Sequence, residues 1–293
     1  MKKYNQDTAF QGIIYLLTAL ICICALYPLI YAISASFSAP ERILGGDVWL
    51  FPKDFTLNAY KRVFASKDIL TGYKNTIIYT FFGTIINMVF TTMAAYPLSL
   101  PNLKGKEPLT FFITFTMFFS GGMIPEYLNI RNLGLLNSPL SVMLPGAINV
   151  SNMLIMRNYF IHSIPNELRE AASIDGSSPL HTMFSVILPL SKSILIVIVL
   201  YYMVGHWNSY FSAMLYMRDR SMQPLQVFLR EILVLTQMGD MTEQSGIDDM
   251  SVYLLYASLK YAIIIVSAVP LLILYPMVQK FFERGIMMGS LKG

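Results

Sequence analysis

From Gly12 to Phe37 the chain carries no charged side chain, and that run exceeds the ~20 residues a helix needs to cross a bilayer. In hydrocarbon no water meets the backbone. Each N–H and C=O must then be satisfied within its own segment, which confines such a run to an α-helix. Comparable apolar runs recur at about 75–98, 109–128, 138–157, 191–217 and 254–281. The expectation is an all-α integral membrane protein with six transmembrane helices, forming one transmembrane domain over residues 1–293. Composition agrees: 13% of residues are charged against ~25% in a soluble domain, and mean hydropathy is +0.55.

Lys2 and Lys3 before the first run also suit a signal peptide, with Ser34-Ala35-Ser36 as a possible cleavage site. A signal's apolar region is ~7–15 residues, and this run is nearer a full span, so it reads as retained. Breakers mark two other runs: Gly121-Gly122 and Pro125 near the end of the third, and Pro145-Gly146 inside the fourth. A break at membrane depth is tolerated only where neighbours or water satisfy the freed carbonyls.

Six spans put both termini on one side, and Lys and Arg in the short loops choose it. Lys2, Lys3, Lys104, Lys106, Arg157, Arg169, Lys192, Lys280, Arg284 and Lys292 fall on the terminus side; the opposite side holds a comparable number, but spread over two long loops, of which 218–255 is net acidic. Both termini are therefore expected in the cytoplasm, with the chain multi-pass in the cytoplasmic membrane. The net charge of +4 reads as cytoplasmic-edge lysines. No basic cluster interleaved with aromatics supports nucleic-acid binding. Cys22 and Cys24 read as packing residues, and the three histidines have no metal-ligand spacing.

Between the fourth and fifth runs lies a polar interruption, Glu170 to Pro189. Pro165 suits the first turn of a helix, where Glu167 and Glu170 favour the positive end. Leu168, Ala171, Ala172 and Asp175 share one face at helical spacing, and the adjacent alanines leave it flat. Gly176 can end the helix in the left-handed conformation, and Ser178-Pro179 reads as N-cap and first position of a second helix. Leu180, Met183, Phe184, Ile187 and Leu188 then form a second apolar stripe, stopped by Pro189.

This stretch resembles the EAA loop of permease subunits in ATP-binding-cassette importers. The family pattern is Glu-Ala-Ala, three residues, Gly, nine residues, an aliphatic residue, one residue, Leu-Pro. Glu170, Ala171, Ala172, Gly176, Val186, Leu188 and Pro189 meet it at every gap, and Asp175 and Phe184 fit the carbohydrate branch. Ala95-Tyr96-Pro97-Leu98, Leu133-Gly134-Leu135-Leu136-Asn137, Trp207-Asn208 and the tail from Pro270 to Gly293 are similar to the same branch. Phe119 to Pro125 is similar to the subgroup handling oligosaccharides.

The resemblance implies that the loop 158–190 docks as a coupling helix on a nucleotide-binding subunit through Glu170, Ala171, Ala172, Asp175, Gly176, Leu180 and Phe184. It also implies that the tail at Lys292 and Gly293 lies near that subunit. The implied partners are a second homologous permease, two ATP-binding subunits, an extracellular solute-binding protein facing the 218–255 loop, and the lipid bilayer. ATP and Mg belong to the partner subunits, with no cofactor on this chain, which is not itself an enzyme. The chain indeed lacks a phosphate loop of the G-x-x-x-x-G-K-[ST] type.

Asn149, Ser151 and Asn152, with Trp207, Asn208 and Tyr210, have the chemistry to line a sugar path, since aromatics stack on sugar faces and amides bond hydroxyls. The ordinary alternative is an interfacial aromatic belt and polar helix–helix contacts. A secondary carrier or channel is the competing function, but no Asp or Glu falls in the central part of any run, where ion-coupled carriers usually keep one. A membrane enzyme would want an acid–base cluster, and His162, His181 and Asp175 are too sparse.

Overall fold

A computed structural model describes residues 2–243 and 250–290. In order the helices are α1 (Lys2–Ser36), α2 (Pro40–Leu44), α3 (Asn58–Ala65), α4 (Lys67–Ser99), α5 (Lys106–Phe115), α6 (Met123–Asn132), α7 (Leu140–Met143) and α8 (Val150–His162). There follow α9 (Asn166–Ile174), α10 (Pro179–Thr182), a π turn (Met183–Ile187), α11 (Leu188–Leu190), α12 (Lys192–Trp207), α13 (Phe211–Tyr216), a 3₁₀ turn (Arg220–Met222), α14 (Leu225–Glu243) and α15 (Met250–Ser290). Among the described residues there is no strand.

Among the described residues, three helical stretches are long and apolar enough to span a membrane, Phe10–Ser36, Lys67–Ser99 and Tyr256–Pro276. A fourth candidate, Pro179–Leu190 with Lys192–Trp207, is bent by 87°. The remaining runs are broken where their breakers stand. The run 109–128 stops at Phe115 and resumes at Met123, because Gly122 takes φ +85° and Phe119 folds back to stack on Phe115 at 4.2 Å. Pro145 and Gly146 (φ +73°) split 138–157 into α7 and α8. Asn208 to Tyr210 separate α12 from α13 within 191–217.

The second helix starts well before Asn75. Ser66 Oγ accepts from the Ile69 amide at 3.4 Å and Asp68 suits the first turn, so the polar residues from Lys67 are already helical. Much of the 218–255 stretch is α14 rather than loop.

Two compact units divide the chain. In one, Met1–Ile69 with Leu229–Val269, Ala35, Ile43 and Val48 pack with Tyr31 and Tyr261, whose rings meet edge-on at 5.6 Å. The segment after α1 is pinned by Phe37 stacked on Phe55 and by Thr56 N donating to Phe37 O at 2.9 Å. Cys22 and Cys24 are not packing residues within this chain, because both are exposed and free on a helix whose apolar window buries nothing.

In the other unit, Leu70–Phe228 with Pro270–Gly293, α4 is the spine. Its end, Ala95, Tyr96 and Leu98, packs with Met153, Met156 and Phe160 of α8, with Met183 and Ile187, and with Ile194, Ile198 and Tyr202 of α12. Its beginning holds the segment before α14: Asn75 Nδ2 donates to Ser221 O and Gln223 O, Tyr79 Oη donates to Met222 O, and Thr76 Oγ1 accepts from Leu225 N.

Candidate functional site

The polar interruption folds as a helical hairpin. Pro165 is the residue just before α9 rather than within its first turn, with Glu167 inside that turn. At the far end Gly176 has φ +75°, its amide donates to Ser173 O at 3.1 Å, and the Ser177 amide donates to Ala172 O at 2.9 Å. Those two bonds make a Schellman motif, which satisfies helix-end carbonyls and requires a left-handed residue at this point. Ser178 then caps α10, its Oγ accepting from His181 N, with Pro179 at the first helical position.

The expected second stripe splits in two. Met183 and Ile187 are 2% and 0% exposed and belong to the core, whereas Leu180 and Phe184 are each 63% exposed. The buried face of this arm is Thr182, Met183 and Ile187, and at 183–187 the helix widens into a π turn, in which Leu188 N bonds Met183 O five residues back. Pro189 has no N–H for the Ser185 carbonyl and its ring would crowd that group, so a widened turn ahead of it relieves both problems. Ser191 Oγ takes up the Ile187 carbonyl at 2.7 Å.

Ile174 is 87% exposed at the end of α9, a helix with no buried residue. Glu170, Ala171, Asp175 and Gly176 are exposed beside it, and Ala172 is half-buried. The hairpin therefore presents Ile174, Leu180 and Phe184 to its surroundings in a segment too polar to sit in lipid. Because α10 and α11 meet α12 at 87°, the second arm lies across the end of that helix rather than prolonging it.

Arg169 ties this region to α4, whose end also receives Arg157 of α8. The last carbonyls of a helix have no partner within it. In α4, Tyr96 O accepts from Ser99 Oγ, Pro97 O from Leu100 N, Leu98 O from Arg157 Nε at 3.0 Å, and Ser99 O from Arg169 Nη1 at 3.3 Å. Arg169 Nη2 also donates to Phe160 O at 2.7 Å and to Ser99 Oγ at 3.3 Å. Burial pushes the Arg169 guanidinium below its ordinary value, with Tyr96 acting in the opposite sense. The group still stays charged at neutral pH.

The residues expected to line a sugar path differ in burial and in partners. Asn149 caps α8, its Oδ1 accepting from Asn152 N at 3.1 Å and its own N donating to Tyr202 Oη at 3.0 Å. Ser151 is exposed and Asn152 buried. Trp207 is buried with its ring edge-on to Tyr73 at 5.8 Å, Asn208 is exposed and bonds Val204 O, and Tyr210 packs with the cluster around Met143. Lys292 and Gly293 lie outside the described residues.

The polar groups at the centre of this unit include Asn87 and His206, which the sequence did not single out. Asn87 Nδ2 donates to Gly146 O and Ala147 O at 3.0 Å each, and His206 Nε2 donates to Asn87 Oδ1. The carbonyls freed by Pro145-Gly146 thus find their donor on α4. Gly83 makes room for this, since a Cβ there would lie 2.6 Å from the His206 ring. Asn87→Leu should orphan both carbonyls at about 1–3 kcal/mol each. A large drop in melting temperature in detergent is expected, and an unchanged melt would show the break to be satisfied otherwise.

The chain belongs to a family of transport permeases. Residues 69–288 match the family of binding-protein-dependent transport system inner membrane components. The polygalacturonan/rhamnogalacturonan transport system permease protein YtcP of Bacillus subtilis (strain 168) is 39% identical, covering 100% of each chain. The melibiose/raffinose/stachyose import permease protein MelC of the same organism is 26% identical over 98% of each. Among solved structures, a chain of a bacterial ABC transporter involved in import of the acidic polysaccharide alginate is 37% identical with TM-score 0.84, covering 94% of this chain and 98% of that one.

Proposed function

We propose that the chain is one of two permeases in an ATP-driven importer that carries an oligosaccharide across the cytoplasmic membrane. The observation that carries the reading is the hairpin with Ile174, Leu180 and Phe184 exposed beside Glu170. It docks on an ATP-hydrolysing subunit, with Ala171 and Ala172 allowing close approach and Glu170 and Asp175 meeting basic groups there. ATP and Mg bind to those partner subunits, whose closure around nucleotide moves the hairpin and exchanges inward- and outward-facing states.

In this reading the chain crosses the membrane six times, with α1, α4 and α15 as unbroken spans and the broken runs as the other three. The gathering of Arg157 and Arg169 at the end of α4 supports a common cytoplasmic side for the hairpin and the short loops. Near the other end of α4, Asn75 Nδ2 donates to the carbonyl of Ser221, at the start of the stretch that would face the solute-binding protein. Polygalacturonan and alginate are both polymers of uronic acids, so acidic oligosaccharides are the first substrates to try.

The chain co-expressed with its partner subunits should purify with a second permease and two ATP-hydrolysing subunits. In proteoliposomes, binding protein loaded with trigalacturonate should stimulate hydrolysis and uptake. A transport-competent homodimer lacking any second permease would contradict the heterodimer. Stimulation by maltotriose but not trigalacturonate would contradict the acidic class.

A further inference from the structure

We propose that Arg169 is the positioning residue that makes the hairpin and the ends of α4 and α8 move as one body. The inference rests on the docking role just described, and adds how motion leaves the hairpin. Arg169 belongs to α9, yet its guanidinium reaches Ser99 O and Ser99 Oγ at the end of α4 and Phe160 O near the end of α8. Ser99 and Phe160 are both buried. Both acceptor carbonyls lie where a helix carries partial negative charge, so one cation serves two helix ends. Among the described residues Arg169 has no carboxylate partner, so its charge is balanced by those ends alone.

The link asks for arginine. A planar fork can donate along several fixed directions at once, while a lysine offers one compact charge that can serve one helix end or the other. Asn166 Oδ1, within α9 itself, receives Nη1 at 3.4 Å and steadies the fork from the hairpin side. Arg157 offers a natural comparison. It ties α8 to Leu98 O at 3.0 Å without touching the hairpin.

Spin labels test the link. With Cys22→Ser and Cys24→Ser removing the native thiols, Ser173→Cys on α9 and Met93→Cys on α4 give two exposed attachment points. In the complex with the ATP-hydrolysing subunits, the distance between labels should be the same without nucleotide and with ATP trapped by vanadate. In the Arg169→Lys background it should shift or split on trapping, with uptake per ATP hydrolysed down about tenfold, as expected for losing charge-assisted bonds. Arg157→Gln should leave the distance constant.

A wild-type distance that changes on trapping overturns the link, as does an Arg169→Lys distance that stays constant, or Arg157→Gln behaving like Arg169→Lys. If no ATP-hydrolysing subunit is retained even by the wild type, the docking role fails instead. The same pair in the isolated chain then decides the link: a narrow distribution for wild type and a broad one for Arg169→Lys supports it, and equal widths overturn it.

Discussion

Ala172→Glu is expected to strip the ATP-hydrolysing subunit from the membrane complex while the chain still inserts. Ala172 lies one turn before Gly176, half-buried on the face shared with Leu168 and Asp175. In the proposed docking, a bulky carboxylate there would stand against a partner surface that a methyl group can approach. Glu170→Ala acts from the other side, leaving a basic group of the partner without its counter-charge. An unpaired charge in a desolvated interface costs roughly 2–5 kcal/mol, or about 30-fold to several-thousand-fold in affinity. Surface changes away from any partner usually stay within about ±0.5 kcal/mol. Pull-down from detergent extracts separates the two cases, and wild-type retention by both variants would place the docking surface elsewhere.

Gly176→Val should uncouple hydrolysis from uptake. A Cβ at Gly176 would meet no atom within 4 Å, so its neighbours do not exclude a side chain. The constraint is its φ of +75°, in the region that L-residues enter at about 1–2 kcal/mol and β-branched ones least readily. Relieving that strain would break the paired bonds to Ala172 O and Ser173 O and swing the two arms apart. Uptake at constant hydrolysis should fall about 5–30-fold, the factor that one or two kcal/mol sets. Gly176→Asn should stay near wild type, because Asn tolerates this cap. Normal uptake with Gly176→Val would mean that coupling does not depend on the hairpin angle.

What was legible in the sequence was local. Gly176, Ser178 and Pro179 act within a few residues of themselves, so the turn and both arms could be read from their order. The stripe from Leu180 to Leu188 misled because a 3.6-residue period treats Met183 and Phe184 as neighbours on one face. The buried face is instead Thr182, Met183 and Ile187, with Leu180 and Phe184 outside, and the helix widens into a π turn at 183–187. Pro189 was the available sign, since a proline there must disturb the turn before it. The broken runs were legible from Gly122 and from Pro145-Gly146, but their repair was not.

That repair comes from across the fold: Asn87 serves carbonyls 59 and 60 residues away, and Arg169 serves one 70 residues back. The only clue was chemical, an amide alone in the apolar run after Asn75, in a chain whose fourth run needed a donor. The polar candidates for a sugar path show the same limit of a single sequence. Asn149 and Asn208 bond nearby backbone, a use of amides that single-sequence reasoning cannot separate from sugar binding.

The docking role of the hairpin is tested most directly by photo-crosslinking in membranes. A photoreactive residue replaces Phe184, Leu180 or, as control, Ile13 on the exposed apolar face of α1. With the partner subunits co-expressed, Phe184 and Leu180 should yield adducts with the ATP-hydrolysing subunit, and Ile13 should yield none. Adducts from Phe184 and Leu180 only with lipid, or only with a permease chain, would contradict the coupling role.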